Sequence, residues 1–96
     1  IGTQVDLQSA ANWYEIAAKK GQLESQVNLG LLYVGGESFL QDFERAHMWF
    51  NIAAANGHKD AKDFRDRLSI KLTNQTIASA QKKARICLES NFSKCN

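Results

Sequence analysis

The sequence predicts an all-α fold, an α-solenoid of about five helices paired as antiparallel hairpins. Three observations predict it. The stretch from Ala10 to Gly21 recurs from Ala46 to Gly57: Trp13 matches Trp49, Ala17 matches Ala53, Ala18 matches Ala54 and Gly21 matches Gly57, all at an offset of 36 residues. Asp6 and Asp42, and Ser25 and Ala61, keep the same offset. A fixed period of this size marks stacked supersecondary units, each too small to bury its own apolar face. Proline is absent, which removes the main helix breaker. Alanine, leucine, lysine and glutamine are frequent, and they favour helix.

The elements follow in order. Asp6 is a good N-cap, and Leu7, Ala10, Ala11, Tyr14, Ala17 and Ala18 then recur at three- and four-residue spacing until Gly21 supplies a stop. This gives a first helix over Asp6–Lys20. A second, Gln22–Gly35, carries Leu23, Val27, Leu31 and Val34 on one side and Leu29, Leu32 and Tyr33 on another. A helix apolar on two sides is sandwiched between neighbours. Gly35, Gly36, Glu37 and Ser38 form a loop. Phe39 and Leu40 precede the next N-cap, Asp42, as a hydrophobic staple. Asp42–Asn56 repeats the first helix and His58–Leu72 the second. Thr73 then caps a fifth, Thr73–Asn91, with an apolar stripe of Ile77, Ala80, Ala84, Ile86, Cys87 and Leu88. The whole of 1–96 reads as one domain, with repeat helices over 6–72 and a capping helix and tail over 73–96 that shields the last repeat from water. Small residues at Ala10, Ala17, Ala18, Gly30, Ala46, Ala53 and Ala54 let helices approach closely. Trp13, Trp49, Tyr14, Phe50 and Tyr33 fill the space between pairs, the two indoles in equivalent surroundings.

Composition excludes several classes. A net charge of +2 is too small to imply a nucleic-acid partner. No apolar run reaches the length of about 18 residues that a membrane span needs. No Gly-rich phosphate loop, zinc-protease motif or nucleophile elbow is present. No cofactor is expected.

The residues then match a known family. Ser25, Leu29, Gly30, Tyr33, Gly36, Ser38, Phe39, Asp42, Ala46, Trp49, Ala53, Ala54 and Gly57 stand in order at the fixed positions of the Sel-one-like repeats, a tetratricopeptide-like subfamily. Ser25 departs from that family's alanine, Ser38 from its second loop glycine and Phe39 from its valine. The segment from Leu72 to Gln81 resembles the capping segment of bacterial members, with Asn74 in place of a common proline. The resemblance implies a right-handed superhelix and a non-catalytic scaffold that binds a protein or peptide as a monomer, in periplasmic or secreted bacterial proteins. It also makes the first helix the second half of an earlier unit, so that the chain looks like the C-terminal piece of a longer array. The family's geometry implies a concave groove built from Glu24, Val27, Leu31, Val34, Asp60, Asp63, Arg67, Ile70 and Lys71. Two rivals stand beside this reading: a weak hydrolase of cell-wall-like or β-lactam substrates, as described for cysteine-rich relatives, and an adaptor that uses the convex surface.

The chemistry-bearing residues are few. Cys87 and Cys95 are the only cysteines. On one continuous helix they would lie about 12 Å apart at about 1.5 Å per residue, too far for a disulfide. A bridge therefore needs the chain to fold back, and Ser90-Asn91-Phe92-Ser93 is a fitting turn. The alternative is two free thiols in a reducing compartment; a bridge points to the periplasm or export. No further ligand spacing supports a metal. His47 and His58 lack ligand spacing and are expected exposed on helices. Asp60, Asp63 and Asp66, interleaved with Lys62, Arg65 and Arg67, read as a solvated salt-bridge face rather than an acid–base pair. Lys82, Lys83 and Arg85 read as a wet helix face. Asn74-Gln75-Thr76 and Asn91-Phe92-Ser93 are glycosylation-like tripeptides, inert in a bacterial source.

Overall fold

In the computed structural model, residues 3–36 and 42–95 are described, with side chains from Ser9 onward. Five helices follow one another: α1 (Thr3–Lys19), α2 (Leu23–Gly35), α3 (Phe43–Ala55), α4 (Lys59–Ser69) and α5 (Asn74–Glu89), with no strand among the described residues. The fold is a helical solenoid. The loop residues Glu37 and Ser38 and the staple Phe39–Leu40 lie outside the described residues.

The helix ends show why the repeat works. Gly21 and Gly57 both take left-handed backbone, at φ 91° and 103°, which L side chains adopt only with strain. The Gln22 N–H then donates to the Ala17 carbonyl, and the His58 N–H to the Ala53 carbonyl. These are the same Schellman closure. It appears a third time after α5, where the Phe92 N–H donates to the Cys87 carbonyl and the Asn91 N–H to that of Leu88. Asn91 stands here where the earlier copies have glycine, in a left-handed conformation at φ 54°. Thus α1, α3 and α5 finish alike, although the sequence repeat fades after α4.

Asp42 and Thr73 act as N-caps, accepting from the backbone N–H groups of Arg45 and Thr76. Asp6 does not: α1 begins at Thr3, which places Asp6 inside the helix. The helix starting near His58 ends at Ser69 rather than Leu72, because Ile70 to Leu72 form the turn into α5.

Helix α3 is the centre of the core. Met48, Trp49, Phe50 and Ile52 are all buried. Helices α2, α4 and α5 pack around α3. Helix α2 approaches closely through Gly30, where an added Cβ would lie 2.5 Å from the Phe50 ring. A buried ring has no room to yield, so only glycine fits there.

The two tryptophans are not equivalent, contrary to the expectation from the repeat. Trp49 is 2% exposed and Trp13 is 69% exposed. Arg45, Trp49 and Ile52 share one side of α3 by helical spacing, and Arg45 lies over the Tyr33 ring of α2. The helix preceding α3 therefore covers that side. Trp13 and Ile16 present the same side of α1, and no helix precedes α1 among the described residues.

Candidate functional site

The face built by α2 and α4 is tied at its head and open at its foot. His58 caps α4: its Nδ1 accepts from the Ala61 N–H at 3.2 Å, which leaves the ring proton on Nε2, 2.8 Å from Glu24 Oε1. Neither histidine is the exposed helical residue the sequence suggested. This link closes the N-terminal ends of α2 and α4 together. Val27, one turn after Glu24, is core rather than groove wall, at 4% exposure.

Towards the C-terminal ends the two helices leave a pocket of about 180 Å³, lined by Leu31, Val34, Phe50, Phe64, Arg67, Leu68 and Lys71. Leu31 is exposed and Val34 half-buried. Phe50 forms part of the floor, and its ring lies 5.6 Å from that of Phe64. Arg67 and Lys71 are exposed cations at the mouth. Of the nine anticipated groove residues, Leu31, Val34, Arg67 and Lys71 thus meet in one place. Asp60 and Asp63 are exposed away from it, and Ile70 stands exposed in the turn after α4. Phe50, Phe64 and Leu68 are pocket residues that the groove residues read from sequence do not include. The signal for two of them was present: Phe64, Arg67 and Leu68 share one side of α4 by helical spacing, with Lys71 in the turn just beyond its end.

His47 is buried, at 1% exposure. Ser69 Oγ donates to the Arg65 carbonyl at 2.9 Å, so its lone pair receives the His47 Nε2–H, also at 2.9 Å. Nδ1 has no partner. The imidazole is a donor pinning α3 to the end of α4, and Ser69 keeps its proton on the backbone; the pair lacks the base–nucleophile polarity that hydrolysis needs. Burial pushes the His47 pKa down, Arg65 pushes it further and Asp66 opposes. The neutral ring is therefore the folded form. Its contribution is complete above the ordinary imidazole value of about 6.5 and is lost as pH falls from there through the lower folded-state value. Urea midpoints should fall between about pH 7.5 and pH 5 in the native chain, and His47→Gln, which keeps a donor for Ser69, should flatten that slope. A slope that the variant leaves unchanged assigns the acid sensitivity elsewhere.

The acidic face of α4 is solvated: Asp60, Asp63 and Asp66 are exposed, and Arg65 reaches Asp66 at 3.1 Å. No group of His, Cys, Asp and Glu suited to a metal ion exists among the described residues. Cys87 and Cys95 are joined as a disulfide, with Cα atoms 4.4 Å apart.

The Sel1 repeat signature matches residues 1–22 and 23–58, the second copy containing α2 and α3 and the first α1. The chain belongs to the Sel1 repeat family. No curated protein and no solved structure matches the chain significantly. Sel1 repeats are commonly protein-interaction modules. The matched copies stop at His58, while the shared helix closure carries the architecture through α5. No helix of the described residues is long and apolar enough to cross a membrane.

Proposed function

We propose that this Sel1 repeat chain is a non-catalytic scaffold that holds a protein or peptide by seating one apolar side chain between α2 and α4. The observation that carries this reading is the pocket itself: apolar walls from Leu31, Val34, Phe64 and Leu68 open to solvent beneath two cations, Arg67 and Lys71. A Leu or Phe anchor flanked by carboxylates complements it. The anchor removes apolar area from water on both partners, and the cations set orientation and encounter rate. The disulfide is consistent with an oxidising compartment, and we place the protein in the periplasm or among secreted proteins on that ground. The scaffold acts as a monomer, with α5 and the following turn closing the end of the array.

The test uses fluorescein-labelled synthetic peptides that place one Leu or Phe among Asp and Glu residues. Anisotropy should rise on titration with the native chain. Leu31→Asp combined with Arg67→Glu should abolish the rise while leaving the helical circular dichroism intact. Binding that survives both changes would move the contact away from this pocket. Steady hydrolysis of a chromogenic β-lactam by the pure protein would instead favour the enzyme.

A further inference from the structure

The side of α4 opposite the apolar pocket lines a second concavity, and it is cationic. Lys59, Lys62 and Arg65 form its wall and Asn51, Ala54 and Ala55 its floor, around about 420 Å³. Asn51 and Ala55 also floor a neighbouring recess of about 340 Å³, walled by α5 residues that include Arg85 and the carboxylate Glu89. The two recesses share that floor on α3, and together they make one trough between α4 and α5. At about 100° per residue, Lys62 lies about 160° from Phe64 and about 120° from Leu68 around α4, and no residue lines both concavities, so the trough is separate from the pocket proposed above and does not depend on it.

The repeat supplies an internal comparison. The positions equivalent to Lys59, Lys62 and Arg65 one unit earlier are Leu23, Gln26 and Leu29. Gln26 and Leu29 are fully buried, and Gln26 donates to the Ala18 carbonyl. The solenoid itself therefore asks for apolar or amide side chains on this side of the helix. In the later unit α5 packs on α3, the same side of α4 stays open, and it carries cations. Lys59 and Lys62 are exposed, and neither has an ion pair or side-chain hydrogen bond among the described residues. Arg65 is held in place by Asn51 Oδ1 at 2.9 Å and Asp66 at 3.1 Å. Nothing in the packing uses the two lysines.

We infer that this trough binds an acidic peptide segment, with two or three of its carboxylates facing Lys59, Lys62 and Arg65. Three features favour a peptide over a nucleic acid. The net charge is only +2. Asp60 and Asp63 lie exposed on the same helix and interrupt the line of cations, which suits two or three spaced carboxylates better than a continuous phosphate backbone. The floor mixes an amide with alanine methyl groups, which suits a main chain with short side chains.

The experiment titrates the native chain into a fluorescein-labelled peptide of alternating Glu and Ala, at low ionic strength where surface charges are least screened. An oligothymidylate of equal charge serves as the second probe. Lys59→Glu with Lys62→Glu should weaken peptide binding by at least about tenfold, a loss of about 1.4 kcal/mol. The same number of reversals at Lys20 and Lys94, outside both concavities, should weaken it far less. Both pairs are exposed, so melting curves should stay unchanged and confirm folded protein. Equal weakening by the two pairs, no weakening by the first, or tighter binding of the oligothymidylate would each overturn the assignment. Leu31→Asp, in the other pocket, should leave binding of the Glu–Ala peptide unchanged; a loss equal to that of the lysine reversals would place the acidic peptide there and overturn the assignment.

Discussion

Trp49→Ala is expected to cost about 3–5 kcal/mol, while Trp13→Ala costs no more than about 0.5 kcal/mol, the usual range for a surface site. The two residues hold the same place in the repeat, so local helix propensity is the same for both exchanges. What differs is cover. Trp49 is enclosed by the helices packed around α3 and belongs to the continuous core with Leu29, Tyr33, Met48 and Ile52. Removing its indole leaves a cavity that the surrounding helices close only in part, and the cavity adds to the lost transfer energy. Trp13 leaves no cavity, because most of its surface already meets water. Urea unfolding followed by helical circular dichroism reads both variants, and the shift in midpoint at constant slope gives the difference. Equal losses at the two positions would mean that Trp49 is not enclosed as described.

That contrast marks how far the sequence speaks. The helices, their order, both glycine stops and the caps at Asp42 and Thr73 were legible, because each is a local event written in adjacent residues. Burial was legible only where a residue's neighbours were. The periodicity assigned Trp13 and Trp49 one environment, yet burial depends on what lies on the next helix, which a pairwise match does not contain. Val27 fails for the same reason: it stands in line with Leu31 and Val34, but it is buried in the core cluster while Leu31 is exposed. His47 was hidden because a histidine on a helix matches Ala11 in the earlier copy. Its partner Ser69 lies in the following helix, 22 residues away. The site divided along the same line. Leu31, Val34, Arg67 and Lys71 were among the groove residues that the family resemblance implied. The aromatic floor needed Phe50, a residue whose spacing identifies it as core and whose position under a gap only the packing reveals.

Reduction of the Cys87–Cys95 bridge should lower stability by about 2–3 kcal/mol, the entropy released to the unfolded chain by opening so short a loop. The repeat explains why a bridge fits here. Cys87 and Cys95 are eight residues apart, as are Ala17 and Ser25, and Ala53 and Ala61, which flank the equivalent Schellman closures. Ala53 and Ala61 are both fully buried, so the motif already brings small side chains into the core at these two positions. In the third copy both are cysteines, joined as a disulfide, and both are buried. The bridge also restrains the turn. Asn91 and Phe92 stand consecutively at φ 54° and 67°, and a bulky residue in the left-handed region costs about 1–2 kcal/mol. Phe92 packs against the core in return. A double Cys87→Ala, Cys95→Ala variant restores the alanine pair of the preceding copy, creates no unpartnered thiol and should still fold. Its urea midpoint should coincide with that of the reduced native chain and lie below that of the oxidised one. A double variant as stable as the oxidised chain would show that the alanine pair alone closes the turn, and the covalent link would then have no share in holding it.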